Sequence, residues 1–456
     1  METIHESLGL LDTYLRIPTV SNDITPETTK QVRAFWKKLG LELEPIYADH
    51  PTTTSVMNPA LYGLIEADRP DAGTILLYGH WDVQPPGDLT QWRWREQTSP
   101  PFDPTYFLDE RYLGHDAAQV LSSLEATQLP DALVVARGSA DNKGQHLANL
   151  LGVLRAKAAR TLAWNVKVIL DGEEEVGSPN LKAIVASHKD KLKADFMVGS
   201  DGPKSDNRPT LLLGVRGLLM VNITCRNTSN RMLHSGNYGN VVPNPVLPLA
   251  RLLDEMTDAA REIGKDSESF RTEVDKFFPK DLPDRKFFDP FLYPTFNINS
   301  FATEGFTGKG SQRRTIIPSW AEANIDVRLT PGLDPQQVYA RLVELVEAAN
   351  KQSSDLVFEI EQSSACAASY TSPEREGFAW LKQNMENYWQ SDLRVIPLLG
   401  GTLPSDAFTD GLGLAAYWLP AANSNNRQHD TNEHFVLEHF FRQQEFYERL
   451  VSTPLQ

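Results

Sequence analysis

Residues 165–180 read NVKVILDGEEEVGSPN, and the fold turns on how that stretch divides. Asn165 to Leu170 alternates and then runs apolar, the pattern of a strand. It stops at Asp171-Gly172, and Glu173, Glu174 and Glu175 follow in a row. A run of acids is ordinarily a solvated loop. This one directly follows an apolar strand, and Gly172 and Gly177-Ser178-Pro179 bracket it as a shaped turn. Adjacent glutamates point differently, so one is free to bind a cation while its neighbour handles protons.

The same grammar recurs on either side. TILLYG (74–79) is a short apolar run that ends in His80-Trp81-Asp82. Asp195 to Gly199 is a strand that stops at Ser200-Asp201, and Ala415 to Leu419 is a strand followed by a polar segment holding His429. Helical spacing marks 142–159, with Leu147, Leu150, Leu151 and Leu154 on one side, then 181–192, and a last helix from about Leu437 onward. Strands alternating with helices predict an α/β domain with a mostly parallel sheet covered by helices. Ligands bind beyond the carboxyl ends of such strands, so these clusters are expected along one edge. Asp141, in ARGSADNKG just before a helix, joins them from a loop.

His80 and Asp82 are two apart and share a side in extended chain. A carboxylate beside a ligating histidine accepts its second ring proton and fixes the tautomer. An HxD pair alone more often belongs to surface or core. Its weight comes from the company it keeps: three carboxylates and two imidazoles suit a pair of divalent ions, with one carboxylate bridging.

The pattern changes after Pro209. Leu211 to Thr224 reads as a long strand, 244–263 as a helix with Pro245 near its first turn, and 291–301 and 322–329 as strands. Asp334 caps a helix over 334–349, and 356–361 is a strand. The order β-α-β-β-α-β is the ferredoxin-like split arrangement. The chain then divides into a first domain at 1–213 and 389–456 and an inserted α+β domain at 214–388. The return is made by an apolar strand at 393–399 and a Gly-Gly turn.

A chain of 456 residues is too long for one ordinary core. Its 41% hydrophobic and 23% charged content is that of a globular protein. The net charge of -16 argues against a nucleic-acid partner. Two cysteines, Cys225 and Cys366, exclude a disulfide scaffold and a Cys-rich zinc site. The opening METIHESLGLLDTYLRIPTV has no basic segment before an apolar run, so no signal peptide is read there. No stretch of about 18 apolar residues predicts a membrane span, and the cytoplasm is the simplest location.

Eight motifs together resemble the M20 metallopeptidases in their order along the chain. They are HWDVQPPG, ARGSADNKGQ, DGEEEVGSPN, SDGPK, HSGNYG, DVRLTPG, LLGGTLPSD and the late His429. The nearest likeness is to the dipeptidase branch that includes the carnosine dipeptidases. The resemblance implies hydrolysis of an amide bond in a small substrate with a free carboxylate, a dipeptide above all. It implies two divalent ions, zinc first, with manganese or cobalt as alternatives. His80, Asp141 and Asp201 would hold one ion and Glu175, His429 and Asp141 the other. Glu174 would be the general base, Asp82 would orient His80, and the Asp141-Asn142 peptide would be cis. His234 would stabilise the oxyanion from a partner subunit, with the inserted domain acting as lid and homodimer contact. Arg328, Thr315, Gly401 and Thr402 would touch the substrate, although many relatives carry serine where Thr402 stands. The alternatives are an N-acyl amino acid deacylase with the same site, or a silent binding protein on the same fold. His115, His146, His188, His434 and His439 carry no motif, and His146 is expected to be structural.

Overall fold

The structure, a computed structural model, describes residues 2–109, 111–304, 314–390 and 393–455. Its contacts divide the chain into two units: residues 1–213, 371–396 and 407–456, and residues 214–370 with 397–406.

The first unit is built on an eight-stranded sheet. Its order is Glu44–Ile46, Ala60–Ile65, Asn165–Asp171, Thr74–His80, Phe196–Gly199, Ala415–Trp418, Thr210–Leu212, Arg394–Ile396. The central four strands, Asn165–Asp171 to Ala415–Trp418, are mutually parallel. They are almost entirely buried, as strands covered on both faces must be, which is why they read as apolar runs. The edges are mixed: Ala60–Ile65 runs antiparallel to Asn165–Asp171, and Thr210–Leu212 antiparallel to Ala415–Trp418. Because the central four are parallel and adjacent, their carboxyl ends lie side by side.

A second, four-stranded antiparallel sheet belongs to this unit, in the order His434–Val436, Ala132–Val135, Thr105–Leu108, Arg111–Gly114. None of these four strands is expected from the sequence pattern. These strands are short, and their core is a small cluster of Trp92, Phe107 and Val135. The sheet matters because Val135 pairs with His434, which sets the segment after 135 beside the segment before 434.

The second unit has the strand order Thr295–Thr303, Trp320–Leu329, Gly217–Asn227, Leu356–Cys366, all antiparallel. Burial alternates strictly along Gly217–Asn227 and Trp320–Leu329. The buried face packs on Val246–Ile263 and Pro335–Gln352, which contribute Leu249, Leu252, Leu253, Met256, Val338, Leu342 and Val346 to the core. Asp334 caps the second helix by accepting the Gln336 N–H. This is the ferredoxin-like arrangement. Its edge strand Thr295–Thr303 is largely exposed, with Ile298 and Phe301 among the exposed apolar side chains.

Several elements differ from the sequence reading. The long strand over 211–224 is three pieces. Thr210–Leu212 stays in the first unit's sheet, Gly214–Val215 pairs with Ser369–Tyr370, and Gly217–Asn227 belongs to the second unit. A side chain at Gly214 would stand 2.2 Å from the Ser369 carbonyl oxygen, so this crossing requires glycine. The strand expected from 291 begins at Thr295, because Asp289–Leu292 is a 3-10 turn with Pro290 in its first positions. Pro397, which has no N–H to donate, follows Arg394–Ile396, shorter than the expected 393–399. The helix over 181–192 breaks at His188 into Leu181–Ser187 and Lys189–Leu192. Residues 371–388, read as insertion, group instead with the first unit. Trp380 of the helix Phe378–Trp389 packs there against Trp164 at 5.1 Å and Phe196 at 5.7 Å. Among the described residues no helix is long and apolar enough to cross a membrane.

Candidate metal centre

All five expected ligands come together in the first unit. His80 is the last residue of Thr74–His80, and Asp201 lies just past Phe196–Gly199. Glu174 and Glu175 open a single 3-10 turn after Asn165–Asp171, closed by Gly177 at φ +86°, where only glycine sits without strain. His429 itself has φ 63°, a left-handed conformation uncommon for a non-glycine residue. The Asp141-Asn142 peptide is cis.

The two carboxylate oxygens of Asp141 face different imidazoles. Oδ1 is 3.0 Å from His80 Nε2, and Oδ2 is 3.0 Å from His429 Nε2. Asp201 Oδ2 lies 3.6 Å from His80 Nε2, and Glu175 Oε2 lies 3.2 Å from His429 Nε2. Among the described residues neither of those two buried oxygens has a hydrogen-bond partner. Glu174 Oε2 is 3.9 Å from His80 Nε2. Ligand-type atoms of His80, Glu174 and Asp201, and of His80, Asp141 and Glu175, lie within 4.8 Å of one another. One Nε2 cannot serve two ions, and His429 gives the second group an imidazole of its own.

The electrostatics are those of crowded carboxylates. Burial, with the neighbouring Asp141 carboxylate, raises Asp201 to about 7. Burial also raises Glu174 far above the carboxylate range, with Asp201, Glu175 and Asp141 adding to it against His80. Glu175 is raised by burial and by Asp141. Asp141 goes the other way: burial opposes ionisation, but His429 and His80 outweigh it. The Asp141 and Glu175 carboxylates facing its ring lift His429 to about 10. Divalent cations among these oxygens invert that logic by favouring every ionised carboxylate and the neutral imidazoles. The hydrogen-bond-free oxygens and the oxygen-nitrogen donor set fit such ions.

His80 Nδ1 lies 3.0 Å from the Asp82 carbonyl oxygen and 3.3 Å from its Oδ1. With the proton on Nδ1, the Nε2 lone pair is directed to the carboxylates. The Asp82 carboxylate also accepts the N–H groups of Glu174 at 3.3 Å and Glu175 at 3.1 Å, and the Ser21 hydroxyl at 2.8 Å. Asp82 therefore holds the glutamate turn as well as the histidine.

Three supporting residues escaped the sequence reading. Glu433 is fully buried beside the Asp141 loop. Its Oε1 accepts the N–H groups of Ala140 and Asp141, both at 2.8 Å, and its Oε2 accepts Gly138 N–H at 3.1 Å and Arg137 Nη1 at 2.8 Å. Arg137 Nη2 donates to the carbonyls of Pro85 and Asp430, at 3.1 and 3.2 Å. This one ion pair joins the loops that carry His80, Asp141 and His429. Asn142 donates from Nδ2 to the Ser200 carbonyl at 2.6 Å and accepts the His80 N–H at Oδ1 at 3.4 Å. The only sequence signal was Glu433 standing directly before the apolar HFV. His146 is buried and bonded between Tyr14 and Asn142, in keeping with a structural part.

The remaining candidates lie in the second unit as two groups. His234 is exposed on a two-residue strand paired with Ile316–Ile317, and Thr315 Oγ1 is 3.5 Å from its Nε2. Arg328, half-buried, donates from Nη1 to Thr402 Oγ1 at 2.9 Å and from Nε to Asp326 at 3.2 Å. The Gly401 carbonyl accepts the Arg216 N–H at 3.1 Å. Arg216 was not singled out in the sequence. It is buried, its Nε has no partner among the described residues, and burial with the nearby Arg328 lowers it to about 10.

The family model described as a peptidase dimerisation domain of the M20 type matches residues 213–354. The mouse Beta-Ala-His dipeptidase is 28% identical over 64% of this chain and 58% of its own length, so the match spans less than two thirds of that relative. The Cys-Gly metallodipeptidase dug1 of Schizosaccharomyces pombe is 24% identical over 96% of this chain and 93% of that protein. Among solved structures, an M20 family metallo-carboxypeptidase from Sulfolobus solfataricus, Sso-CP2, superposes with a TM-score of 0.74. It is 26% identical, with 98% of both chains covered.

Proposed function

Starting from a chain that carries the M20 peptidase dimerisation domain and the M20 fold, we propose that it is a dinuclear-metal hydrolase of dipeptides. The observation that carries the reading is Asp141, whose two oxygens each face a different imidazole. His80, Asp201 and Asp141 Oδ1 would hold one divalent ion, and His429, Glu175 and Asp141 Oδ2 the other. Zinc is our first choice, because the donors are imidazole and carboxylate. When bound, such ions supply Lewis acidity and lower the pKa of water toward about 7. Glu174 is left without a ligand's place but within reach of the same centre. It takes the proton of the attacking water at its carboxylate and returns it to the leaving amine.

In this reading Arg328, steadied by Thr402 and Asp326, pairs with the substrate's free carboxylate, the planar fork matching two oxygens. His234 stabilises the oxyanion, and Thr315 and Gly401 complete the substrate contacts. A homodimer through the inserted domain is supported by the exposed edge strand Thr295–Thr303, an open template for pairing. We place the protein in the cytoplasm. The test is a panel of dipeptides against N-acetyl and N-succinyl amino acids, run with Zn²⁺, Mn²⁺ and Co²⁺ in turn. Dipeptide turnover dominating is the expected result, and preference for acyl amino acids would move the reading to a deacylase. Mixing His234→Ala with Glu174→Gln chains tests the dimer: activity returns after subunit exchange if His234 acts across it, and stays absent if it does not.

A further inference from the structure

On the first unit lies a cavity of about 380 Å³, walled by Lys204, Arg208, Trp389, Glu438, His439 and Arg442 among others. It is set apart from the carboxylate centre by its charge. Three cationic side chains meet one carboxylate, in a chain whose net charge is -16. That carboxylate, Glu438, is engaged by Arg442 at 3.7 Å.

Lys204 is the informative member. It is 3% exposed, and no described carboxylate lies within ion-pair distance of its ammonium. The ammonium stands over the Trp389 ring, 4.9 Å from the centroid, and the Arg442 guanidinium stands over the same ring at 5.1 Å. A cation–π contact returns less than the desolvation of a buried ammonium costs, and a second cation nearby adds to the deficit. On the same wall, His439 Nδ1 is buried without a hydrogen-bond partner among the described residues. A buried amine with no described carboxylate partner, sharing one aromatic ring with a second cation at a cavity wall, describes a place for a negatively charged acceptor. The cavity is roomier than a bare inorganic anion needs and falls within the roughly 300–1,000 Å³ range of small-molecule sites. Trp389 and Pro209 give it an apolar side.

We propose that this cavity is a second ligand site, taking a small organic anion whose carboxylate or phosphate pairs with Lys204 and Arg442 and whose apolar part rests on Trp389 and Pro209. The site is tied to the loop of Asp201: Lys204 lies three residues on, and its N–H is held by the Ala422 carbonyl at 2.8 Å. Occupancy therefore stabilises that loop.

The experiment titrates the metal-loaded protein with benzoate, phenyl phosphate and uncharged benzamide at constant ionic strength, following thermal unfolding. A saturable rise with one or both anions and none with benzamide is expected, and the stronger anion identifies the head group. Lys204→Met abolishes the rise. Arg442→Gln, at a side chain 49% exposed and safe for folding, weakens it roughly tenfold, as loss of one charge-assisted hydrogen bond should. Equal responses from the parent and Arg442→Gln, or from the parent and Lys204→Met, would overturn the proposal. So would a parent that responds to neither anion.

Discussion

Glu433→Gln removes one charge and one acceptor from a residue that touches no substrate, and its cost follows from four hydrogen bonds. In glutamine one of the two oxygens becomes an NH₂. If that group takes the Oε2 place, it meets Gly138 N–H and Arg137 Nη1 as donor against donor. Arg137, 1% exposed, becomes a buried cation without a countercharge, and breaking such a pair costs about 3–5 kcal/mol. If the NH₂ takes the Oε1 place, the N–H groups of Ala140 and Asp141 lose their acceptor, at about 1–3 kcal/mol each. The two routes converge on a loss of about 3–5 kcal/mol. Because the orphaned donors flank Asp141, metal affinity falls as well, by about 10–100-fold, the usual effect of removing a ligand's support. Urea unfolding of the metal-free protein measures the first, and competition with a chelating dye the second. A variant that loses less than about 1 kcal/mol and keeps its metal affinity within about threefold would refute the claim that Glu433 holds the Asp141 loop.

Glu174→Gln keeps both ions and lowers kcat by about 10²–10⁴, measured as turnover at verified metal content; parent-level turnover would remove Glu174 from proton transfer. Arg328→Lys exchanges a fork for a point charge and raises KM roughly tenfold or more, with a smaller change in kcat. An unchanged KM would free Arg328 from carboxylate binding. In the metal-free protein the carboxylate-imidazole centre withdraws stability as pH rises. A carboxyl lifted to about 7, as at Asp201, binds more protons folded than unfolded and withdraws stability from about pH 4 upward. His429, lifted to about 10, contributes stability that is whole below about pH 6.5 and lost on the way to 10. The rise in unfolding temperature on adding Zn²⁺ therefore grows between pH 5 and 9, and a flat profile would contradict it.

The central sheet was legible because its strands are buried on both faces and read as apolar runs ending in polar clusters. His80, Glu175 and Asp201 were found through that rule, and the parallel register of four adjacent strands explains why it worked. The segment holding His429 was placed by the same rule and Asp141 was added from a loop, where no periodicity exists, while the separate roles of Glu174 and Glu175 came from motif likeness. The ferredoxin-like unit was legible from its order of elements. Its first strand was not, because nothing in an apolar run announces that Leu213 and Gly214 fall in different units. The small sheet around Trp92 and Phe107 escaped since its strands are four residues or fewer. Glu433 and Arg137 escaped because burial of a charged pair is a property of the packed chain, and locally both look like surface residues.

The most direct measurement is an anomalous difference map at the zinc edge from crystals of the Zn²⁺-loaded protein. Two peaks are expected, one among His80, Asp201 and Asp141, the other among His429, Glu175 and Asp141, with Asp141 common to both. A single peak, or a second peak that Asp141 does not touch, would contradict it.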